Sequence, residues 1–116
     1  MNLKTEKYVV QEKNLIFQNC TKMSFDHPIC EVIDFPDVVV VMLNVSPAQI
    51  CNENVFGVSY DGDKLWQIEK KSHVYKNSSY TGLFKKGENV VLSNWDGLEL
   101  TVSPITGKVL SERYGK

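Results

Sequence analysis

Residues 38–43 read Val-Val-Val-Val-Met-Leu, and no other stretch narrows the possible folds as far. Consecutive β-branched side chains are stiff at χ1 and favour extended backbone. A strand with one wet face alternates apolar and polar residues. This one does not, so protein must cover both of its faces. The run is short for a buried helix, and Pro36 stands just ahead of it. Residues 37–43 are therefore expected as an interior strand.

The rest of the chain is short apolar runs broken by turn residues, which predicts a mainly β fold with little helix. The expectation is one domain over 1–116: an antiparallel β-meander, arranged as a sheet or as a small sandwich or barrel. Residues 1–13 are polar around Tyr8-Val9-Val10 and are expected as a mobile arm or an edge strand. Further strands are expected at 15–17 and 29–33, with a corner at Phe35-Pro36-Asp37. Ser46-Pro47 could cap a single helical turn over 46–50.

Turn chemistry divides residues 54–114 into about six strands, joined closely enough to be antiparallel neighbours. Asp96-Gly97 suits a two-residue type I′ hairpin loop. That loop sets Trp95 opposite Leu98, Ser93 opposite Leu100 and Val91 opposite Val102, all facing the core. In residues 54–68 a three-residue loop, with Gly62 at positive φ, places Phe56, Val58 and Tyr60 on the face shared by Trp66 and Ile68. Residues 85–88 and 103–108 make two further turns.

Two internal similarities stand out. Asn54-Val55 with Tyr60-Asp61-Gly62 aligns with Asn89-Val90 and Trp95-Asp96-Gly97 at an offset of 35. Ser103-Pro104-Ile105-Thr106-Gly107-Lys108 resembles the outer hairpin of a quinoprotein-type β-propeller blade. That family has Asp where Ser103 stands and a tryptophan shortly after the glycine, whereas Leu110 and Ser111 follow here. A closed propeller needs at least four blades of roughly 40 residues, so 116 residues should hold fewer than three. Both similarities are accordingly read as convergent hairpin chemistry.

Composition narrows the function. A formal charge of −1 and 23% charged residues give no basic footprint for nucleic acid. No apolar run approaches the roughly 18 residues that span a bilayer. Charges interrupt the first ten residues before an apolar stretch forms, so a cytoplasmic protein is expected. Cys20, Cys30 and Cys51 match no zinc spacing, and at least two of them are expected to be buried. No glycine-rich phosphate loop or metal-ligand motif occurs, and no cofactor is expected.

These readings favour a small cytoplasmic, non-enzymatic domain that binds another protein, of the general class to which immunity proteins belong. The expected contact residues are Trp66 and, on a free last strand, Val109, Ser111 and Arg113. The alternative is a small enzyme or ligand-binding protein with a pocket near His27, Cys30 and Cys51. A flat apolar patch would favour the first, and a pocket lined by two of those last three residues the second.

Overall fold

A computed structural model describes residues 1–73 and 75–114. The described residues form twelve strands in three antiparallel four-stranded sheets, and no helix. The first sheet is β1 (Asn2–Lys4), β2 (Tyr8–Gln11), β3 (Asn14–Phe17) and β4 (Lys22–Ser24). The second is β5 (Ile29–Asp34), β6 (Val38–Leu43), β7 (Val55–Ser59) and β8 (Lys64–Gln67). The third is β9 (Tyr80–Lys86), β10 (Asn89–Asn94), β11 (Leu98–Val102) and β12 (Val109–Tyr114). Strands within each sheet follow chain order, which is the arrangement of propeller blades.

The mainly β expectation holds, and β6 is interior, hydrogen-bonded to β5 and β7. Its continuous valines have a simple cause. Val39, Val41 and Leu43 pack with Tyr8, Val10 and Leu15 of the first sheet. Val38, Val40 and Met42 pack with Leu83, Leu92 and Leu100 of the third. The middle sheet thus has a core on each side, and neither face of β6 reaches water. Each buried valine contributes roughly 1.5 kcal/mol or more.

Several expectations are corrected. Of the two alternatives for residues 1–13, the edge strand holds and the arm does not: they carry β1, an outer strand of the first sheet, and β2, and Tyr8 and Val10 are buried. Residues 46–50 form a turn, not a helix, with the Gln49 N–H donating to the Ser46 carbonyl at 2.9 Å. The meander is broken between β8 and β9, which lie in different sheets. Trp66 pairs with Gly57, so Trp66 and Ile68 face the third sheet while Phe56 and Val58 face the first. With both faces of the middle sheet buried, its large side chains need not share one side.

The register at 94–98 is offset by one residue from the expected one. Leu92 lies opposite Leu100 and Val90 opposite Val102, so Trp95 falls in the turn and is 53% exposed. Gly97 does take positive φ, at 99°.

Three blade-like sheets fit because the first occupies only residues 2–24. The offset of 35 pairs non-equivalent hairpins, since Gly62 joins β7 to β8 whereas Gly97 joins β10 to β11. The structural equivalents are the hairpins between third and fourth strands, where Cys20, Gly62 and Gly107 all have positive φ (70°, 95° and 75°). Each donates its N–H back across the turn, to Phe17, Ser59 and Ser103 respectively. The propeller-like hairpin at 103–108 is therefore a true outer hairpin. The tryptophan it receives comes from the preceding sheet: the Trp66 indole N–H donates to the Pro104 carbonyl at 2.7 Å. A Cβ on either Gly57 or Gly107 would overlap that indole.

Candidate functional site

The antiparallel topology sends the long connections 24–28, 44–54 and 68–79 to one end of the stack, together with the 95–97 turn. Amides tie them together. The Asn44 N–H donates to the Pro28 carbonyl at 2.7 Å, and Asn52 Nδ2 to the Lys76 carbonyl at 2.9 Å. Asn54 is fully buried between the second and third sheets. Its Nδ2 donates to the Leu43 and Tyr80 carbonyls, and its Oδ1 accepts the Tyr80 N–H at 2.8 Å. The opposite end of the stack carries connections shorter than 44–54 and 68–79, the longest being 103–108.

Two features occupy this end. The first is aromatic. Tyr75 stacks on Trp95, with ring centroids 4.6 Å apart and an interplanar angle of 11°. Both rings are about half exposed, Tyr75 at 51% and Trp95 at 53%. The Trp95 indole N–H donates to the Asn77 carbonyl at 2.9 Å, which fixes the ring's orientation. Beside it, Val45, Pro47, Asn77, Ser79 and Trp95 line a groove of about 300 Å³. Beneath the turn, His73 Nδ1 lies 3.0 Å from Asp96 Oδ2, and both side chains are almost wholly buried.

The second feature is a pocket of about 290 Å³ between the first and second sheets. Its floor is Met23, Phe25, Leu43 and Phe56, and the two phenyl rings lie 5.1 Å apart. Asp26, His27, Cys51, Lys64 and Gln67 complete the lining. Burial, then the nearby Glu53 and Asp26 carboxylates, push the Cys51 thiol up. A thiol raised from an already basic value is protonated at neutral pH and is a poor nucleophile.

The expected contact residues are spread widely. Trp66 is 8% exposed and belongs to the core. Val109, Ser111 and Arg113 lie on β12, an outer edge of the third sheet, with Arg113 Nε 2.8 Å from Glu99 Oε1. β12 has six residues, against three and four in the outer strands β4 and β8. His27 and Cys51 do share a pocket, but Cys30 does not line it. The burial expected of the cysteines is overturned: Cys20 and Cys30 are exposed and Cys51 is half-buried. Cys20 sits in the β3–β4 turn at positive φ, and there it is exposed. Among the described residues no group of three or more His, Cys, Asp or Glu could hold a metal ion.

The fold and this end of the stack define an all-β protein built from propeller-type sheets. The chain belongs to the family described as Domain of unknown function (DUF7957), which matches residues 5–114. No curated protein matches it significantly. Among solved structures it is similar to the computationally designed Ika8 protein, with a TM-score of 0.69 and 14% identity over 99% of this chain and 36% of that one. It is also similar to BamB from Moraxella catarrhalis, with a TM-score of 0.61 and 16% identity over 91% of this chain and 32% of that one. The chain thus spans about a third of each structure. At these identities the likeness concerns the fold alone.

Proposed function

We propose that the domain is a non-enzymatic cytoplasmic module that binds another protein through the end carrying Trp95 and Tyr75. The observation behind this reading is the stacked, half-exposed Tyr75–Trp95 pair beside a groove of mixed polarity lined by Val45, Pro47, Asn77 and Ser79. Tryptophan and tyrosine are the side chains most enriched among residues that dominate protein binding energy. The Asn77 hydrogen bond holds the Trp95 ring in place before binding, which lowers the entropy lost on association. The exposed, unpaired Cys20 and Cys30 thiols suit a reducing compartment. The β12 edge, with Val109, Ser111 and Arg113, offers backbone groups for a secondary contact.

The test has two stages. A partner is first recovered with the intact protein, and its affinity is then measured against Trp95→Ala and Ser111→Pro. The reading expects Trp95→Ala to weaken binding at least about tenfold with the melting temperature nearly unchanged. Equal affinity for Trp95→Ala would overturn the aromatic surface, and loss only with Ser111→Pro would move the contact to the edge.

A second reading, a ligand-binding protein, is favoured by one specific observation: His27 and Cys51 line a common pocket.

A further inference from the structure

The pocket between the first and second sheets carries two charged side chains, Lys64 and Asp26, that form no ion pair among the described residues. The Lys64 side chain makes no ion pair or hydrogen bond among the described residues. Its Nζ lies 5.5 Å from the centre of the Phe56 ring. Asp26 likewise has no ion-pair or hydrogen-bonding partner. The two line the same pocket without pairing with each other, and the apolar floor of Met23, Phe25, Leu43 and Phe56 belongs to that pocket too. By contrast Ser24 and Gln67 are already engaged, with Asn14 Oδ1 and the Glu53 carbonyl.

Resting on the ligand-binding reading, we propose that this pocket takes a small zwitterion with an apolar body, namely an apolar α-amino acid. Its carboxylate meets Lys64, its ammonium meets Asp26, and its side chain lies against Phe25 and Phe56. The charge pattern argues for both groups at once. A simple anion would gain Lys64 but face the carboxylates of Asp26 and Glu53, whose field already reaches the Cys51 thiol. A simple cation would gain Asp26 but face the Lys64 ammonium. A neutral apolar molecule would cover the floor and leave both charges to water. A volume of about 290 Å³ is at the small end for ligand pockets, which suits a molecule of this size. Because Lys64 and Asp26 are exposed, each contact is screened and the binding is weak, with Kd about 1 mM.

Cys51 reports occupancy directly, and Cys20 and Cys30 serve as references because neither lines the pocket. The intact protein is treated with iodoacetamide, and the labelling rate of each cysteine is followed by peptide mass spectrometry. The probes are phenylalanine, leucine, 3-phenylpropanoate, phenethylamine and benzyl alcohol, each at about 10 mM. The expected result is that phenylalanine or leucine slows Cys51 about tenfold relative to Cys20 and Cys30, while the other three probes slow it less than about twofold. Lys64→Met and Asp26→Asn should each abolish that protection. If 3-phenylpropanoate, phenethylamine or benzyl alcohol protects as well as the amino acids, the pocket binds ligands but the zwitterion proposal is wrong. Protection that survives both substitutions has the same meaning. If no probe protects Cys51, the proposal and the ligand-binding reading fail together.

Discussion

The indole of Trp66, on β8 of the second sheet, fills the space that a side chain on Gly107, in the β11–β12 turn of the third, would need. This contact, with the indole hydrogen bond to Pro104, locks the second sheet to the third. Gly107→Ala should cost about 2 kcal/mol or more, because it combines positive φ with overlap against a ring that cannot move away. Urea unfolding checks this, and an unchanged midpoint would contradict the packing.

The two tryptophans should behave oppositely. Trp66→Ala removes a core side chain and should cost about 3–5 kcal/mol, whereas Trp95→Ala should cost about 1 kcal/mol or less. In the Trp66→Phe variant the remaining fluorescence, from Trp95, should be quenched readily by acrylamide. In Trp95→Phe the remaining Trp66 should be shielded.

Asn54 is a buried hub rather than a surface amide. Asn54→Ala removes the side-chain partner of the Leu43 and Tyr80 carbonyls and of the Tyr80 N–H. The expected cost is about 3 kcal/mol. Denaturation of Asn54→Ala beside an exposed-amide control, Gln18→Ala, separates this from a general effect of losing an amide.

Alkaline pH should destabilise the domain. Burial, with the nearby Asp34 carboxylate adding to it, pushes the Tyr60 phenol up to about 12, and its hydroxyl donates to the Phe35 carbonyl at 2.8 Å. Burial and a hydrogen bond to Asp34 also raise Tyr8, which stacks on Tyr60. A phenol raised in the folded state keeps its proton while the unfolded chain loses it. The stabilisation is therefore complete below about pH 10 and declines as pH rises through the folded value. Urea midpoints between about pH 8 and pH 11 should fall, and Tyr60→Phe should fall less steeply. A flat wild-type profile would contradict the shift.

Some of this was readable in the residues and some was not, for identifiable reasons. The Val38–Leu43 run declared its own two-sided burial, and positive φ at Gly62 and Gly97 followed from turn chemistry. The register around Asp96-Gly97 was misread because of Asn94. Alternation treats asparagine as solvent-facing, yet Asn94 is buried, and its amide donates to the Ser78 carbonyl at 2.8 Å. A satisfied buried amide reverses the parity of the whole strand. Core packing of Trp66 is the ordinary reading of a strand tryptophan, but its neighbour Gly107, which makes room for the ring from the third sheet's outer turn, is distant in sequence. His27 and Cys51 meet only because the 24–28 connection packs on the 44–54 connection, and no local pattern encodes that contact.

The alternation of β6 between two cores has a thermodynamic consequence. Its valines share one backbone, so melting the first sheet away would strip cover from Val39 and Val41 without releasing Val38 and Val40. Neither outer sheet can come off as an independent folding unit at low cost, because the middle one would then expose half of its most apolar strand. The amides of β6 should accordingly exchange with solvent only by global opening, with protection that reports the full unfolding free energy of the chain.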